Sequence, residues 1–292
     1  MTPRGYALLL LLSALWGGSF VCMRIAVSAV GPSWLILSRV GLAAMFLLVA
    51  AVCLRKSIQV ARYWRHFLVV GLLNSALPSV LFAYSAQTLS TALLSILNAT
   101  APMWAALIAV IWLRSELSPI RWLGMGVGLS GVALLAGLES LNLPQGAMLA
   151  VGAALLATLS YGIVTTYTSI APSVDAFSNA HGSMWGATLF MIPVALASPF
   201  PVDIPFVPVG VAVLALGIVC SGMAYLIFFR LTAEFGAVSA LSVTFLIPVF
   251  GTLWGALMLG ESVSWASVGG GLLVLAGTAL VTGFSWRMFR SA

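Results

Sequence analysis

Residues 245–262 read FLIPVFGTLWGALMLGES, an apolar stretch with a proline inside it and a glutamate near its end. The same arrangement occurs earlier in the chain, where residues 97–117 read LNATAPMWAALIAVIWLRSEL. The two prolines are 146 residues apart, and the glutamates follow them by 14 and 13 residues. This recurrence predicts two related halves in one chain. The matching residues are Pro102 and Glu116 in the first copy and Pro248 and Glu261 in the second.

The composition is typical of an integral membrane protein. Charged residues make up 6% of the 292 residues and hydrophobic residues 62%, and the mean hydropathy is +1.16. Soluble domains carry about 25% charged residues, because a surface that faces water needs them. This chain has too few charges to cover such a surface, so we expect the lipid bilayer to be its solvent and partner.

The residues that would indicate other classes of protein do not occur in the required patterns. The net charge of +6 comes from basic residues between apolar runs, without the aromatic interleaving of a nucleic-acid site. The three cysteines form no CxxC pair, so we expect neither a metal nor a disulfide. The chain has no HExxH or GxSxG motif and no acidic pair inside an apolar run. We therefore expect no enzyme activity and no cofactor.

Ten apolar segments are long enough to cross a bilayer, which needs about 20 residues per helix. Turn signals such as Gly31-Pro32, Ser118-Pro119 and the proline-rich stretch 199–208 separate them. Trp16-Gly17 inside the first segment recurs as Tyr161-Gly162, which favours a retained span over a cleaved signal peptide. The predicted spans are 6–26, 33–54, 67–87, 91–112, 119–138, 146–168, 178–198, 208–230, 236–259 and 264–286. They divide into a first repeat at 1–140 and a second repeat at 141–292.

The distribution of lysine and arginine predicts the orientation. Ten basic residues fall on one side of the predicted membrane and Arg24 alone on the other, so the positive-inside rule places both termini in the cytoplasm. Five spans per repeat is an odd number, and the second repeat must therefore enter the membrane inverted. We expect a multi-pass protein of the cell (inner) membrane. The ten residues are Arg4, Arg55, Lys56, Arg62, Arg65, Arg114, Arg121, Arg230, Arg287 and Arg290.

Several motifs resemble the EamA-type repeat of the drug/metabolite transporter superfamily. They are Trp16-Gly17, Arg39, the two proline-to-glutamate segments, and the glycine-rich stretches 124–137 and 269–283. The overall pattern is most similar to the aromatic amino-acid exporters of that superfamily. The resemblance implies ten helices in two repeats and export of aromatic and other neutral amino acids. The second copy departs from the pattern, with Tyr161 in place of Trp16 and Met184 near the position that corresponds to Arg39.

Inverted repeats place a substrate site near the bilayer midplane, reached alternately from each side. Each proline in a helix frees the carbonyl four residues earlier, which here belongs to Asn74, Asn98 or Thr244. Such carbonyls either line a wet cavity or bond to a neighbouring helix in a packed kink. We expect a cavity whose aromatic walls and hydrogen-bonding groups suit a small neutral amphipathic solute. The predicted cavity residues are Trp16, Arg39, Asn74, Ser75, Pro78, Ser79, Phe82, Asn98, Pro102, Trp104, Tyr161, Thr165, Ser221, Tyr225, Thr244 and Pro248.

Several roles stay open at this level. Arg39, a charge inside a span, can bind a substrate carboxylate, bond to freed carbonyls or extend to the membrane edge. Glu116 and Glu261 can cap a helix or form a gate contact, and His181 is expected in a cytoplasmic connection. Because no carboxylate lies mid-span, uniport-like transport is favoured over a proton relay. Three GxxxG pairs allow close packing of helices, either within the bundle of a monomer or between the subunits of a weak homodimer. They are Gly124/Gly128, Gly182/Gly186 and Gly251/Gly255. An exporter or flippase of lipids or drug-like amphiphiles is the alternative function.

Overall fold

The described residues form ten helical segments. The computed structural model describes residues 2–56, 59–140, 146–202, 204–235 and 242–283, and the side chains of 136–140 lie outside the description. Within these ranges the segments follow the ten predicted spans in order. They are α1 (Pro3–Val30), α2 (Pro32–Cys53), α3 (Val60–Ser85), α4 (Thr91–Leu113), α5 (Pro119–Ser140), α6 (Ala147–Ile170), α7 (Ala176–Leu196), α8 (Phe206–Phe235), α9 (Val243–Leu259) and α10 (Trp265–Thr282).

Length and hydropathy suit a bilayer. Seven of the described segments are long and apolar enough to cross a membrane, and the described part of α5 and all of α9 are shorter apolar helices. The one remaining described segment is α7, which has 21 residues but contains Asn179 and His181 near its start. The predicted all-α fold with ten membrane helices is confirmed. The ends predicted at 236 and 286, and the basic residues Arg287 and Arg290, lie outside the described residues.

The two halves of the bundle use matching helix contacts. Gly17 of α1 packs against α9, since a Cβ there would lie 2.8 Å from the backbone nitrogen of Gly251 and from the Cβ of Phe250. Gly162 of α6 packs in the same way against α4, 2.7 Å from the carbonyl carbon of Trp104. The two glycines are 145 residues apart, and the aromatic residues that they contact, Trp104 and Phe250, are 146 residues apart. The repeat seen in the sequence is therefore also a repeat of packing.

Three of the long segments are interrupted near their middles. α3 contains a π-helical stretch at Gly71–Ala76, just before Pro78. α8 contains one at Ala215–Met223, without a proline. α4 is broken at residues 99–100, before Pro102. The π-helical stretches of α3 and α8 are wider turns, which displace backbone and side chains from the regular α-helical positions and occur often at functional sites.

The GxxxG pairs are used in contacts within the chain. A Cβ on Gly277 of α10 would lie 2.4 Å from the backbone nitrogen of Gly128 in α5, so these two helices touch through their backbones. A Cβ on Gly182 or Gly186 of α7 would collide with Phe67 of α3 at 2.4 Å and 2.5 Å. Small residues thus allow the close helix packing that lipid-embedded bundles require.

Candidate functional site

A cavity of about 640 Å³ lies in the middle of the bundle and is the candidate site. Its volume falls within the roughly 300–1,000 Å³ that small-molecule sites occupy. Residues of both halves line it, including thirteen of the sixteen that the sequence predicts. Those thirteen are Trp16, Arg39, Asn74, Ser75, Ser79, Phe82, Asn98, Pro102, Tyr161, Thr165, Ser221, Tyr225 and Thr244.

The other three predicted residues do not line the cavity. Pro78 is buried in α3, two residues beyond the π-helical stretch whose Asn74 and Ser75 reach the cavity. Trp104 packs at its backbone and Cβ against Gly162. Pro248 is buried in α9, four residues beyond the cavity-lining Thr244. For both Pro78 and Pro248, the polar residue four positions earlier lines the cavity instead of the proline itself.

At the break in α4, two backbone carbonyls accept hydrogen bonds from side chains, one of them on a neighbouring helix. The hydroxyl of Thr278 in α10 donates to the Ala99 carbonyl at 2.9 Å. The hydroxyl of Thr100 donates to the Leu97 carbonyl at 2.7 Å, and its oxygen lies 3.2 Å from that of Thr158 in α6. Both alternatives for the proline break therefore occur here, because the kink is bonded to its neighbours while Asn98 lines the cavity.

Aromatic rings form two walls of the cavity. On one side Trp16 of α1 meets Tyr225 edge to face at 6.4 Å and Phe228 at 5.6 Å, measured between ring centroids. On the other side Tyr161 of α6 lies stacked against Phe82 of α3 at 6.4 Å, and the next contact along this wall is Phe82 with Phe20 at 5.5 Å. Such surfaces bury a flat apolar group and leave their polar edges for hydrogen bonds.

Hydrogen-bonding groups from the π-helical stretches connect the walls. The side-chain amide of Asn74 donates to the Tyr225 hydroxyl at 3.3 Å. Ser221, in the π-helical part of α8, donates to the Leu216 carbonyl five residues earlier at 2.8 Å. The sequence indicated the interruption of α3 through its proline. No such signal occurs in the sequence of α8. There the hydrogen bond from Ser221 reaches back five residues, as the wider π-helical turn allows.

Arg39 of α2 lines the cavity and is held in place by α8. Its Nε donates to the Ser221 hydroxyl at 3.0 Å. Gly217 allows this approach, since a Cβ there would lie 2.6 Å from the Cβ of Leu42 and 3.2 Å from the Arg39 carbonyl oxygen. Arg39 is half-buried, and its side chain lines the cavity. A permanently charged guanidinium thus lies beside the aromatic wall of the cavity.

The carboxylates whose side chains are described all lie elsewhere. Glu261 pairs with Arg24, and Glu234 pairs with Arg230 at 2.7 Å. Asp175 caps the start of α7 by accepting from the backbone nitrogen of Ser178 at 3.0 Å. Glu116 is exposed in the connection between α4 and α5. None of these four lines the cavity, and Glu139 and Asp203 lie outside the described side chains.

The cavity is closed at the end where α1 and α9 finish. Arg24 forms an ion pair with Glu261, and the same carboxylate accepts from the Thr91 backbone nitrogen at 2.9 Å and hydroxyl at 3.0 Å. Glu261 therefore caps the first turn of α4, one of the two roles left open for it, and also binds α1. Nearby, the indole of Trp34 donates to the Pro199 carbonyl at 3.1 Å.

The cavity is open at the other end, which we call the basic end because it carries the arginines and lysine of the connections. Arg121 at the start of α5, Thr165 near the end of α6 and Thr282 at the end of α10 all line the cavity there and are exposed. At the far end of the cavity, Phe20 and Met23 are buried.

Sequence reasoning missed several residues that also line the cavity, including Phe20, Met23, Arg121, Met184, Cys220 and Phe228.

Neither histidine lines the cavity. His181 was expected in a connection, and this is wrong: it is fully buried in α7 and accepts from the Trp185 indole at 3.0 Å. His66 at the start of α3 lies 3.2 Å from the Tyr167 hydroxyl and 3.1 Å from the Asn179 side-chain oxygen. These contacts join α3 to α6 and α7 outside the cavity, so we assign both histidines to packing.

A bundle of paired five-helix units around a central cavity, closed at one end and open at the other, defines a membrane transporter. The chain belongs to the EamA-like transporter family, which matches residues 3–137 and 148–283. The resemblance found in the sequence is therefore confirmed at the level of the family.

Similar proteins span nearly the whole chain. An uncharacterized transporter of Archaeoglobus fulgidus is 26% identical over 297 residues, covering 97% of this chain and 98% of its own. The uncharacterized transporter YoaV of Bacillus subtilis is 22% identical over 271 residues, covering 92% and 93%. A probable terminal-alkyne amino-acid exporter of Streptantibioticus cattleyicolor is 23% identical over 271 residues, covering 91% and 89%. A solved crystal structure has the same fold, with a TM-score of 0.66 and 18% identity over 99% of both chains.

Proposed function

We propose that this protein exports aromatic and other neutral amino acids by alternating access through the central cavity. The protein would lie in the cell (inner) membrane with both termini in the cytoplasm, as the basic residues predict. In that orientation the basic end is cytoplasmic and the described conformation is open to the cytoplasm. Substrate then enters from inside the cell, and opening of the Arg24–Glu261 end releases it outside.

One observation carries the proposal: a cavity that opens at the basic end has two aromatic walls and an arginine in its lining. Trp16 and Tyr225 on one side and Tyr161 on the other leave a slot that suits a flat side chain. Full burial of an apolar side chain contributes about 1.5–3 kcal/mol, and aromatic pairing adds about 0.5–1.5 kcal/mol. The name of the Streptantibioticus cattleyicolor relative, an amino-acid exporter, supports the same class of substrate.

The interrupted helices provide the positions at which the bundle can change shape. The π-helical stretches Gly71–Ala76 and Ala215–Met223 and the break in α4 lie at the level of the cavity. Bending there would separate α1 from α9 at the closed end while α6 and α4 approach each other at the basic end. Since no described carboxylate lines the cavity, uniport-like transport stays favoured over a carboxylate proton relay.

Counterflow in liposomes tests the proposal. Purified protein is reconstituted into vesicles loaded with unlabelled phenylalanine or tryptophan, and uptake of the external radiolabelled amino acid is measured. Uptake above that of empty liposomes is expected, and Trp16→Ala should lower its rate about 10-fold by removing one aromatic wall. Trp265→Ala is the matched control, because Trp265 is 90% exposed at the start of α10, away from the cavity.

Two results would overturn the proposal. The first is that neither amino acid moves in vesicles whose protein is folded and correctly inserted. The second is that fluorescent phospholipids are translocated while the amino acids are not, which would establish the alternative, a flippase of lipids or related amphiphiles.

A further inference from the structure

We propose that the cavity selects aromatic carboxylates that lack an ammonium group over zwitterionic amino acids with the same side chain. This inference rests on the proposed function, because it assumes that the cavity transports aromatic solutes. Among aromatic solutes, it specifies which net charge the favoured substrate carries. The favoured substrates are then aromatic organic anions, and free amino acids are the weaker members of the set.

The first argument is the charge of the lining. Arg39 lies within the cavity and Arg121 at its open end, so the described lining carries two permanent positive charges. None of the four carboxylates with described side chains lines it, since three are occupied by Arg24, Arg230 and the start of α7, and Glu116 is exposed in a connection. The described lining therefore has positive charges that can pair with a bound anion, and it has no negative charge that could pair with a cation.

The second argument is the state of the Arg39 side chain. Its Nε donates to the Ser221 hydroxyl, and its two terminal nitrogens have no hydrogen-bond partner among the described residues. An arginine presents its N–H groups as a planar fork that matches the two oxygens of a carboxylate. A buried or half-buried charge is normally paired, so an unpaired one in a cavity indicates that the partner comes with the ligand.

The third argument is that the charged group and an aromatic wall line the same cavity. Ser221, which accepts from Arg39, and Tyr225 both line the cavity from α8. Tyr225 in turn meets the Trp16 ring at 6.4 Å between centroids. A carboxylate bound by the terminal nitrogens of Arg39 therefore shares the cavity with the aromatic wall of Trp16 and Tyr225. Phenylpropionate-like acids combine these two groups, a carboxylate and an aromatic ring, in one small molecule.

An ammonium group on the same ligand is unfavourable here. It would lose its hydration on entering the cavity, and the described lining provides no carboxylate to replace that hydration. The same arginine that attracts the carboxylate would repel it at short distance. Cation–π contact with Trp16 or Tyr225, worth about 0.5–2 kcal/mol, and hydrogen bonds to side-chain oxygens such as that of Asn98 are available to an ammonium, but neither supplies an opposite charge. The amine-only ligand in the test measures this contribution.

Binding to the purified, detergent-solubilised protein is the measurement, because small aromatic acids cross lipid bilayers unaided in their neutral form and would blur a flux assay. Isothermal titration calorimetry at pH 7.5 compares three ligands with the same ring: 3-phenylpropionate, phenylalanine and 2-phenylethylamine. We expect 3-phenylpropionate to bind at least about 10-fold more tightly than phenylalanine, and 2-phenylethylamine to bind at least about 100-fold more weakly than 3-phenylpropionate.

Variants identify the residue responsible. Arg39→Gln should weaken 3-phenylpropionate binding about 10-fold to 100-fold and remove its advantage over phenylalanine. Arg39→Lys keeps the charge without the planar fork and should lie between the two. Arg230→Gln, which removes an exposed arginine paired with Glu234, is the matched control and should bind like the unmodified protein. If Arg39→Gln does not fold, Ser221→Ala serves instead, with an expected loss of a few-fold.

The outcomes separate this inference from the proposed function. Phenylalanine binding as tightly as 3-phenylpropionate, with phenylalanine counterflow intact, would overturn the inference and leave the proposed export standing. Tight binding of 2-phenylethylamine would overturn it as well, because an aromatic cation site would then dominate. Absence of binding for all three ligands together with absence of counterflow would overturn both.

Discussion

Glu261 forms an ion pair with Arg24, although 237 residues separate them in the chain. The pair joins the end of α9 to α1, and the same carboxylate caps α4 at Thr91. Three helices are thus held together at the closed end of the cavity. Its counterpart in the first repeat, Glu116, is exposed and has no such contact in the described part of the chain.

Loss of the Glu261 charge should open the closed end. A hydrogen bond to a charged group contributes about 1.5–3 kcal/mol, and the Glu261 side chain is only 12% exposed, so little of this is screened away. We expect Glu261→Gln to increase the labelling rate of a single cysteine at Met23 by a membrane-impermeant thiol reagent about 10-fold, in a background without native cysteines. Glu234→Gln, in an exposed pair, is the control. Equal labelling in both variants would mean that the ion pair does not hold this end closed.

A second ion pair introduced at the basic end should have the opposite effect. Position 169 lies 145 residues after Arg24 and therefore corresponds to it, but it is a serine whose hydroxyl donates to the Thr166 carbonyl at 2.7 Å. Ser169→Arg places a cation where Glu116 can bind it, and we expect labelling of a cysteine at Thr282 to slow several-fold. Ser169→Gln controls for size. Unchanged labelling would contradict the proposed equivalence of the two ends.

Asn98 and Thr244 should both face water, because both line the cavity. Single cysteines at these positions are expected to react with small charged thiol reagents added from the basic end. A cysteine at Leu149, which is 70% exposed and does not line the cavity, is the lipid-facing control and should stay unlabelled. Complete protection of both cavity positions would show that the space between the halves is not wet.

The contact between α5 and α10 should tolerate no side chain. A methyl group at Gly277 would lie 2.4 Å from the Gly128 nitrogen, so Gly277→Ala must force the backbones apart, at a cost of about 1–3 kcal/mol for such overpacking. Thermal unfolding of the purified protein should show a lower midpoint. Gly126→Ala is the control, because nothing lies within 4 Å of its added Cβ. A midpoint that is equal in both variants would contradict the observed contact.

Sequence patterns predicted the number and order of the helices, and most of the residues that they assigned to the cavity do line it, for physical reasons that can be named. Length and hydropathy determine which segments suit a bilayer, and the recurring proline and glutamate indicated the repeat. Pro102 marked the break in α4, and Pro78 the interruption of α3. The corresponding interruption of α8 was missed, because its wider turn contains no proline.

Contacts between distant residues were beyond a single sequence. Nothing in the chain near Arg24 indicates that Glu261 is its partner, since the pairing depends on how α1 meets α9. The burial of His181 was missed because polar residues around it suggested a connection, whereas Phe177 and Trp185 enclose it. Trp104 was taken for a cavity residue, but its position against Gly162 is set by the close approach of α4 and α6.

Counterflow of labelled phenylalanine in sealed liposomes tests the central claim most directly, because it requires substrate to enter the cavity and leave at the other side. We predict rapid uptake into vesicles that contain the unmodified protein or Trp265→Ala, and about 10-fold slower uptake with Trp16→Ala. Equal rates for Trp16→Ala and the unmodified protein, or no uptake above that of empty liposomes, would contradict the account.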